Sequence, residues 1–489
     1  MKKLISVFLL LSSLNSLAQS VTKIVPNRII ISGKISDSLI GSATNGPYIE
    51  FYSNYNRENP ESCKIIPLHI ENRKFSVTIE PENDISYFDL VGVGARMIRS
   101  VTFYQFMIAR GDSIFMDIAH ENDVRFSGLG SEKLNFQHWA GKLIVSDLKL
   151  LKSEDSNSLL QMMVDNKKRA IWHMALSLDS LNKDSSLNDN RIKDLLRTNT
   201  ASAINKDYLN RITLPYYFPD TTYLNNLKRE VNFLITQQNG FVIIDPFLIK
   251  NSYMYVQYVF ELNKTVAMIR SKSQLAPVTI IYNNIKSEYQ GLLKDKLIPF
   301  CFLEAALQDP VSMKLLPEAI SIVRDADSRR LLQQIEQAKT PGVRAYNFSF
   351  IGVKRQAIKL DDFQGKVVIL KTYENGCVPC IALSEKLDPI AEYFKSRKDV
   401  VFLNVNGVQT EDRAFEAGVK LGKYGTKHSI YARTTGLGQR DTFFLHYKFT
   451  EFPSMLIIGK DGNVISANPT KPFDERSKKD FIALIESNL

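Results

Sequence analysis

The spacing of apolar and polar positions changes character twice along the chain. Between residues 27 and 130 the apolar runs are short and rich in β-branched and aromatic side chains: RIIISGKI, YIEFYS, RKFSVTIE, SYFDLVGV, VTFYQFMIA and DSIFMDIA. Gly, Asn, Asp and Pro clusters separate them, and a spacing of roughly ten residues predicts an antiparallel β domain, a sandwich or a barrel. From 131 to 340 apolar residues recur three and four apart, as in NFQHWAGKLIVSDLKLL, SLLQMMVDNKKRAIWHMALSLDSL, YLNNLKREVNFLI and RRLLQQIEQA, which predicts a mainly helical region. Pro341 and Gly342 then stop the last of these helices and mark a boundary.

Over 341–489 the pattern is mixed α/β. KVVILKTY is a nearly continuous apolar strand of the kind buried on both faces, and VVFLNVNG is a second. Helical periods follow in IALSEKLDPIAEYFKSR and RAFEAGVKLGKYG. FPSMLIIGKDGNVIS reads as strand, Asp461-Gly462 turn and return strand, and DERSKKDFIALIES closes the chain as a helix.

A length of 489 residues implies more than one core, and 44% hydrophobic with 23% charged residues is ordinary globular material. The net charge of +10 does not point to nucleic acid, because basic residues alternate with acids in NNLKREVN and DERSKKD and form no stripe. Residues 1–19 have the layout of a secretory signal peptide: Lys2 and Lys3, an apolar run from Leu4 to Leu11, then small and polar residues to Ala18 and Gln19. No cysteine stands near the cleavage region, so no lipid anchor is expected and the product is read as exported, soluble and periplasmic.

Candidate chemistry concentrates in ENGCVPCIAL, which holds Cys377 and Cys380, two of four cysteines. Such a pair exchanges electrons, holds a metal or closes a local loop. Structural zinc would need a second pair of ligands, whereas Cys63 and Cys301 are isolated and the six histidines are scattered. Haem attachment would need histidine at 381, which is Ile381. Copper held with His428 or His446 stays open as a minor alternative; otherwise no metal and no cofactor is expected. Cys301, in LIPFCFLEAALQD, reads as a buried core thiol, with pairing to Cys63 left open.

The order strand, cysteine turn, helix, strand, helix, hairpin, helix is that of a thioredoxin fold. With FSFIGVKRQAIKLDDFQGKVVILKTY, CVPC and HYKFTEFPSMLIIGKDGNVIS, residues 341–489 resemble TlpA/ResA-type thiol:disulfide interchange proteins. ARGDSIFMDIA and VRFSGLGSEKLNFQ resemble the β-rich domain of undefined function that precedes such domains. The resemblance implies a periplasmic thiol:disulfide oxidoreductase, a disulfide reductase or interchange protein. Its partners would be thiols and disulfides of proteins or small molecules, with a membrane electron donor. It also implies a cis bond before Pro453, facing the cysteines, with Phe452 offering backbone groups to an extended substrate.

In that arrangement Cys377 sits at a helix N-terminus, where free N–H groups and the macrodipole stabilise a thiolate, and Cys380 lies one turn deeper. Pro379 is tolerated in the first turn and stiffens it. Three positions depart from the family: Gly376 stands where Trp is usual, Leu383 where Glu is common (Glu385 would face elsewhere), and Lys371 where thioredoxins bury an acid. Lys371 is expected to be buried near Cys380. A second class of function therefore stays open, an exported binding protein whose thioredoxin fold is a degenerate scaffold.

Overall fold

In this computed structural model the described residues are 27–40, 47–53, 63–91, 105–120, 123–145, 156–213, 221–239, 243, 245–271, 276–303, 310–407, 412–434, 441–449, 451–467 and 469–489. The leader expected at 1–19 lies outside them.

The first section is a sandwich. Strands β1 (Ile29–Ile35), β4 (Lys74–Ile79), β7 (Ser113–His120) and β8 (Asp123–Leu129) form one sheet in the order β4-β1-β7-β8. The second runs β3-β2-β5-β6, from β2 (Tyr48–Tyr52), β3 (Cys63–Pro67), β5 (Ile85–Val91) and β6 (Phe106–Ala109). Ile31, Ile114 and Met116 of the first sheet meet Phe51, Phe88 and Phe106 of the second in one core, so the described strands are two facing sheets and not a closed barrel. The purely antiparallel expectation is corrected at one pair: β1 and β7 run parallel, Ile30 opposite Ser113 through Ile35 opposite Ile118. A parallel pair needs a long crossover, and β5 and β6 in the facing sheet provide it.

Strict alternation also fails in β2 and β5, which are buried on nearly every residue. Phe51, Phe88 and Phe106 point into the sandwich, whereas Tyr52, Tyr87 and Met107 join the core of the helical section. That section comprises, among others, the helices Ser131–Val145, Ser156–Lys183, Asn190–Thr213, Thr221–Asn239, Tyr253–Ser271, Pro310–Ile322 and Ala326–Lys339. Its core is dense in aromatic rings, with Phe300 stacked on both Tyr253 and Phe260. Cys301 is fully buried there and Cys63 is half-buried in β3, and neither is joined in a disulfide, so the pairing left open by the sequence is not formed.

After the Ala326–Lys339 helix the chain forms a seven-stranded sheet in the order β10-β9-β13-β12-β11-β14-β15. Its strands are β9 (Ser349–Gly352), β10 (Ala357–Lys359), β11 (Val367–Tyr373), β12 (Val400–Asn406), β13 (Ile430–Arg433), β14 (Met455–Ile458) and β15 (Val464–Ala467). β11, β12 and β13 are parallel and β14 is antiparallel to β11, the arrangement of a thioredoxin-like sheet. All seven residues of β11 are buried. Val368 and Leu370 face a core shared with the Thr442–Tyr447 helix, while Val367 and Ile369 face one made by the helices Val378–Tyr393 and Glu475–Glu486. Lys371 continues the second face, so the helix that carries the cysteines lies over it. Among the described residues no helix is long and apolar enough to cross a membrane.

Candidate active site

β11 ends at Tyr373, and the turn that follows delivers Cys377 as N-cap of the Val378–Tyr393 helix. Gly376 makes the turn possible with φ of 89°, a left-handed conformation that favours glycine. Cys377 and Cys380 are joined in a disulfide, their Cα atoms 5.3 Å apart. The Sγ of Cys377 also accepts the N–H of Cys380 at 3.1 Å, so this sulfur caps the helix. Cys380 is fully buried and Cys377 keeps 8% exposure, beside the exposed Val378 and Pro379. The less buried cysteine is thus also the one at the positive end of the helix.

The Phe452–Pro453 peptide bond is cis. Its position is fixed from β11: the N–H of Thr372 donates to Ser454 O at 2.9 Å, and the N–H of Ser454 donates to Thr372 Oγ1 at 2.9 Å. This brings the carbonyl oxygen of Phe452 to 3.9 Å from Cys377 Sγ. The Phe452 ring leans on Phe444 at 5.9 Å and over Gly407, where any Cβ would collide with both rings.

Lys371 is 1% exposed, and its Nζ donates to Cys380 O at 3.3 Å, Tyr424 O at 2.6 Å and Ser384 Oγ. Burial pulls its pKa down to about 7. Where the resemblance would have a Trp ring in place of Gly376, aromatic rings come from elsewhere in the chain. Tyr424 stacks on Tyr373 at 5.2 Å, Tyr431 meets Tyr373 edge-on at 6.3 Å, and these rings pack around the disulfide with Phe452. The hydroxyl of Tyr424 accepts the N–H of Gly376 at 2.7 Å, so one residue braces both the turn and the buried lysine.

The structure therefore gathers Gly376, Cys377, Pro379, Cys380, Lys371, Phe452 and Pro453 around one disulfide. Leu383 belongs to the apolar core and Glu385 is exposed. His428 pairs with Glu392 at 3.0 Å, and the His446 ring lies 5.1 Å from that of Tyr346. Among the described residues no group of three His, Cys, Asp or Glu could hold a metal ion. Thr372, Ser384, Gly407 and Tyr424 escaped sequence reasoning. Tyr424 fell in a stretch read as the tail of a helix, but that helix is Asp412–Leu421 and Gly422, with φ of 64°, ends it. The nearest sequence signal was the break itself, two glycines flanking Lys423 and Tyr424.

No protein-family model matches the chain, and no curated protein matches it. Solved structures do. A crystal structure of a candidate thiol-disulfide oxidoreductase from Bacteroides vulgatus is 24% identical, covering 31% of this chain and 97% of that one, with a TM-score of 0.26. A candidate thiol:disulfide interchange protein DsbE from Chlorobium tepidum is 21% identical over 31% and 99%, with a TM-score of 0.26. The thioredoxin domain of a thiol-disulfide oxidoreductase from Bacteroides vulgatus is 17% identical over 29% and 96%, with a TM-score of 0.25. These three structures carry thiol-disulfide oxidoreductase or interchange descriptions, and each matches under a third of this chain.

Proposed function

We propose that the chain is a periplasmic thiol:disulfide oxidoreductase in which Cys377 and Cys380 carry the exchange. The observation that supports this most is the disulfide itself, set at a helix N-terminus opposite the cis Phe452–Pro453 bond. A structural staple needs neither a first cysteine that keeps some exposure nor a backbone carbonyl 3.9 Å from its sulfur. Cys377 is the attacking and attacked sulfur, because it keeps exposure and its thiolate would meet the N–H of Cys380. Cys380, buried behind it, resolves the mixed disulfide. Phe452 and Pro453 offer backbone and ring to an extended substrate, and Gly376, Pro379 and Lys371 shape the turn.

Incubation of the full chain in glutathione buffers of graded potential, followed by alkylation and mass measurement, tests this reading. The Cys377–Cys380 pair should equilibrate within minutes while Cys63 and Cys301 stay reduced. A pair that does not equilibrate makes the fold a scaffold and the protein a binding module. Export through residues 1–19 is part of the same proposal. The intact mass of the mature protein should lack the segment ending between Ala18 and Ser20, and a retained Met1 would contradict it.

A further inference from the structure

The strand beneath the cysteines carries a buried lysine, Lys371, that no carboxylate among the described residues pairs with. Among the described residues the three partners of Lys371 Nζ are uncharged oxygens: the carbonyls of Cys380 and Tyr424 and the hydroxyl of Ser384. Ser384 Oγ itself donates to Cys380 O at 2.8 Å, so its proton is already committed. Each partner therefore accepts, and three acceptors match the three N–H bonds of an ammonium group. Among the described residues no carboxylate pairs with Lys371. A buried cation without a counter-charge is costly, and burial lowers the Lys371 pKa to about 7, so the ammonium form is held most firmly when an anion forms beside it.

We propose that Lys371 is a positioning residue that holds an uncompensated positive charge beneath Cys380, so that the thiolate released when the disulfide opens supplies the missing counter-charge. The inference rests on the thiol-exchange reading and adds a direction to it: the reduced pair is stabilised, and the site is biased toward accepting electrons from a dithiol protein. A thiolate of that dithiol attacks Cys377 Sγ and forms a substrate–Cys377 bond. The Cys377–Cys380 bond breaks, and Cys380 leaves with the electron pair beside Lys371. The second substrate thiolate then attacks the substrate sulfur of the mixed disulfide, and Cys377 leaves as a thiolate at the helix N-terminus. The substrate loses two electrons to become a disulfide, the pair gains them, and the two substrate protons pass to solvent. A better-stabilised leaving thiolate both speeds the first step and raises the reduction potential. An acid at the same position would act in the opposite sense.

The test is the equilibrium constant of the full chain with glutathione, for the wild type and for Lys371→Met, which keeps the length and removes the charge. The variant should be harder to reduce by at least tenfold, equivalent to about 30 mV for a two-electron couple. An unchanged constant, or easier reduction, overturns the proposal. Hydrogen exchange in the wild type gives a second reading that needs no variant to fold. Amides of the Val378–Tyr393 helix should exchange more slowly in the reduced protein than in the oxidised one, and faster exchange after reduction contradicts the bias. If the wild-type pair fails to equilibrate at all, the thiol-exchange reading falls and this inference with it. If it equilibrates and Lys371→Met matches it, only the bias falls.

Discussion

The two cysteines share one helix turn and have unequal surroundings. Cys377 retains some exposure and caps the helix, and Cys380 is fully buried in a cluster with Tyr373 and Tyr424. Their loss should therefore produce different failures. Cys377→Ser should abolish both exchange and adduct formation, because no accessible sulfur remains. Cys380→Ser should still attack and stall as a mixed disulfide, visible as a larger band without reductant. Capture by Cys377→Ser in place of Cys380→Ser reverses the order of attack. A second residue-scale prediction concerns His138, whose ring sits 6.4 Å from Phe106 and 6.3 Å from Phe126 with neither nitrogen hydrogen-bonded. Burial, assisted by Lys142, pushes its pKa down to about 4. The unfolded chain then binds the proton more tightly, so the stability held above about pH 6.5 is lost as pH falls toward the folded value. Denaturant unfolding between pH 7.5 and pH 4.5 should show a loss of about 2–3 kcal/mol that is absent in His138→Leu. Equal slopes in both proteins remove His138 as the source. At this scale the sequence spoke through residues with a fixed chemical role. The cysteines, Pro453 and the odd lysine in an apolar strand were visible, whereas Tyr424, 44 residues past Cys380 in the chain, carried no local signal.

Among elements, legibility followed the strength of the period. β11 and β12 were readable because a strand buried on both faces is apolar on nearly every residue, and Lys371 was conspicuous for breaking that rule. β9, β10 and β13 span only three or four residues each, too few for a period to emerge, and their existence depends on pairing with strands far away. The parallel pairing of β1 with β7 was invisible for a related reason, since alternation specifies which face is buried and not which neighbour lies alongside. The end of β12 matters to the site through one small residue. The N–H of Gly407 donates to Tyr373 O at 2.9 Å, and its missing side chain leaves room for the rings of Phe444 and Phe452. Gly407→Ala should push Phe452 away from Cys377. Expected is a fall of roughly tenfold or more in reduction of a peptide disulfide, since displacements of about 1 Å can cost 10²-fold. The equilibrium constant with glutathione should stay near wild type, because the sulfurs and Lys371 are untouched. A shift in that constant with substrate turnover unchanged would contradict a positioning role for Gly407.

For the whole molecule the three sections are linked through shared elements. The Ala326–Lys339 helix contributes Leu331, Leu332 and Ile335 to the helical core and Ala338 to the core under the seven-stranded sheet. The sandwich is tied to the helices by its second sheet, whose outward residues Tyr52, Tyr87 and Met107 are buried among them. Composition and period distinguish a β section from a helical one, but they do not show that a sheet is covered twice. The residues that reveal it, such as Tyr87, are aromatic and suit an exposed strand face equally well.

Tyr87 is the clearest case of that link, because it adds directed bonds to apolar contact. Its hydroxyl donates to Asn251 O at 2.6 Å and accepts the side-chain amide of Asn199 at 3.2 Å. Ser252 Oγ donates to Asn199 Oδ1 at 2.6 Å and accepts the N–H of Tyr255 at 3.2 Å, so β5 and three helical segments share one buried network. Removing the hydroxyl takes one partner from the half-buried Asn251 carbonyl and one from the buried Asn199 amide, which costs about 1–3 kcal/mol. The chain supplies its own local probe, since its only tryptophans, Trp139 and Trp172, lie in the helices Ser131–Val145 and Ser156–Lys183. Tyr87→Phe should lower the denaturant midpoint read by tryptophan fluorescence and leave the glutathione equilibrium of Cys377 and Cys380 at its wild-type value. An unchanged midpoint would mean that the network adds nothing to the packing around it. A changed redox equilibrium would mean that the first two sections reach into the chemistry of the third, making the long N-terminal part a regulator of the disulfide and not only its support.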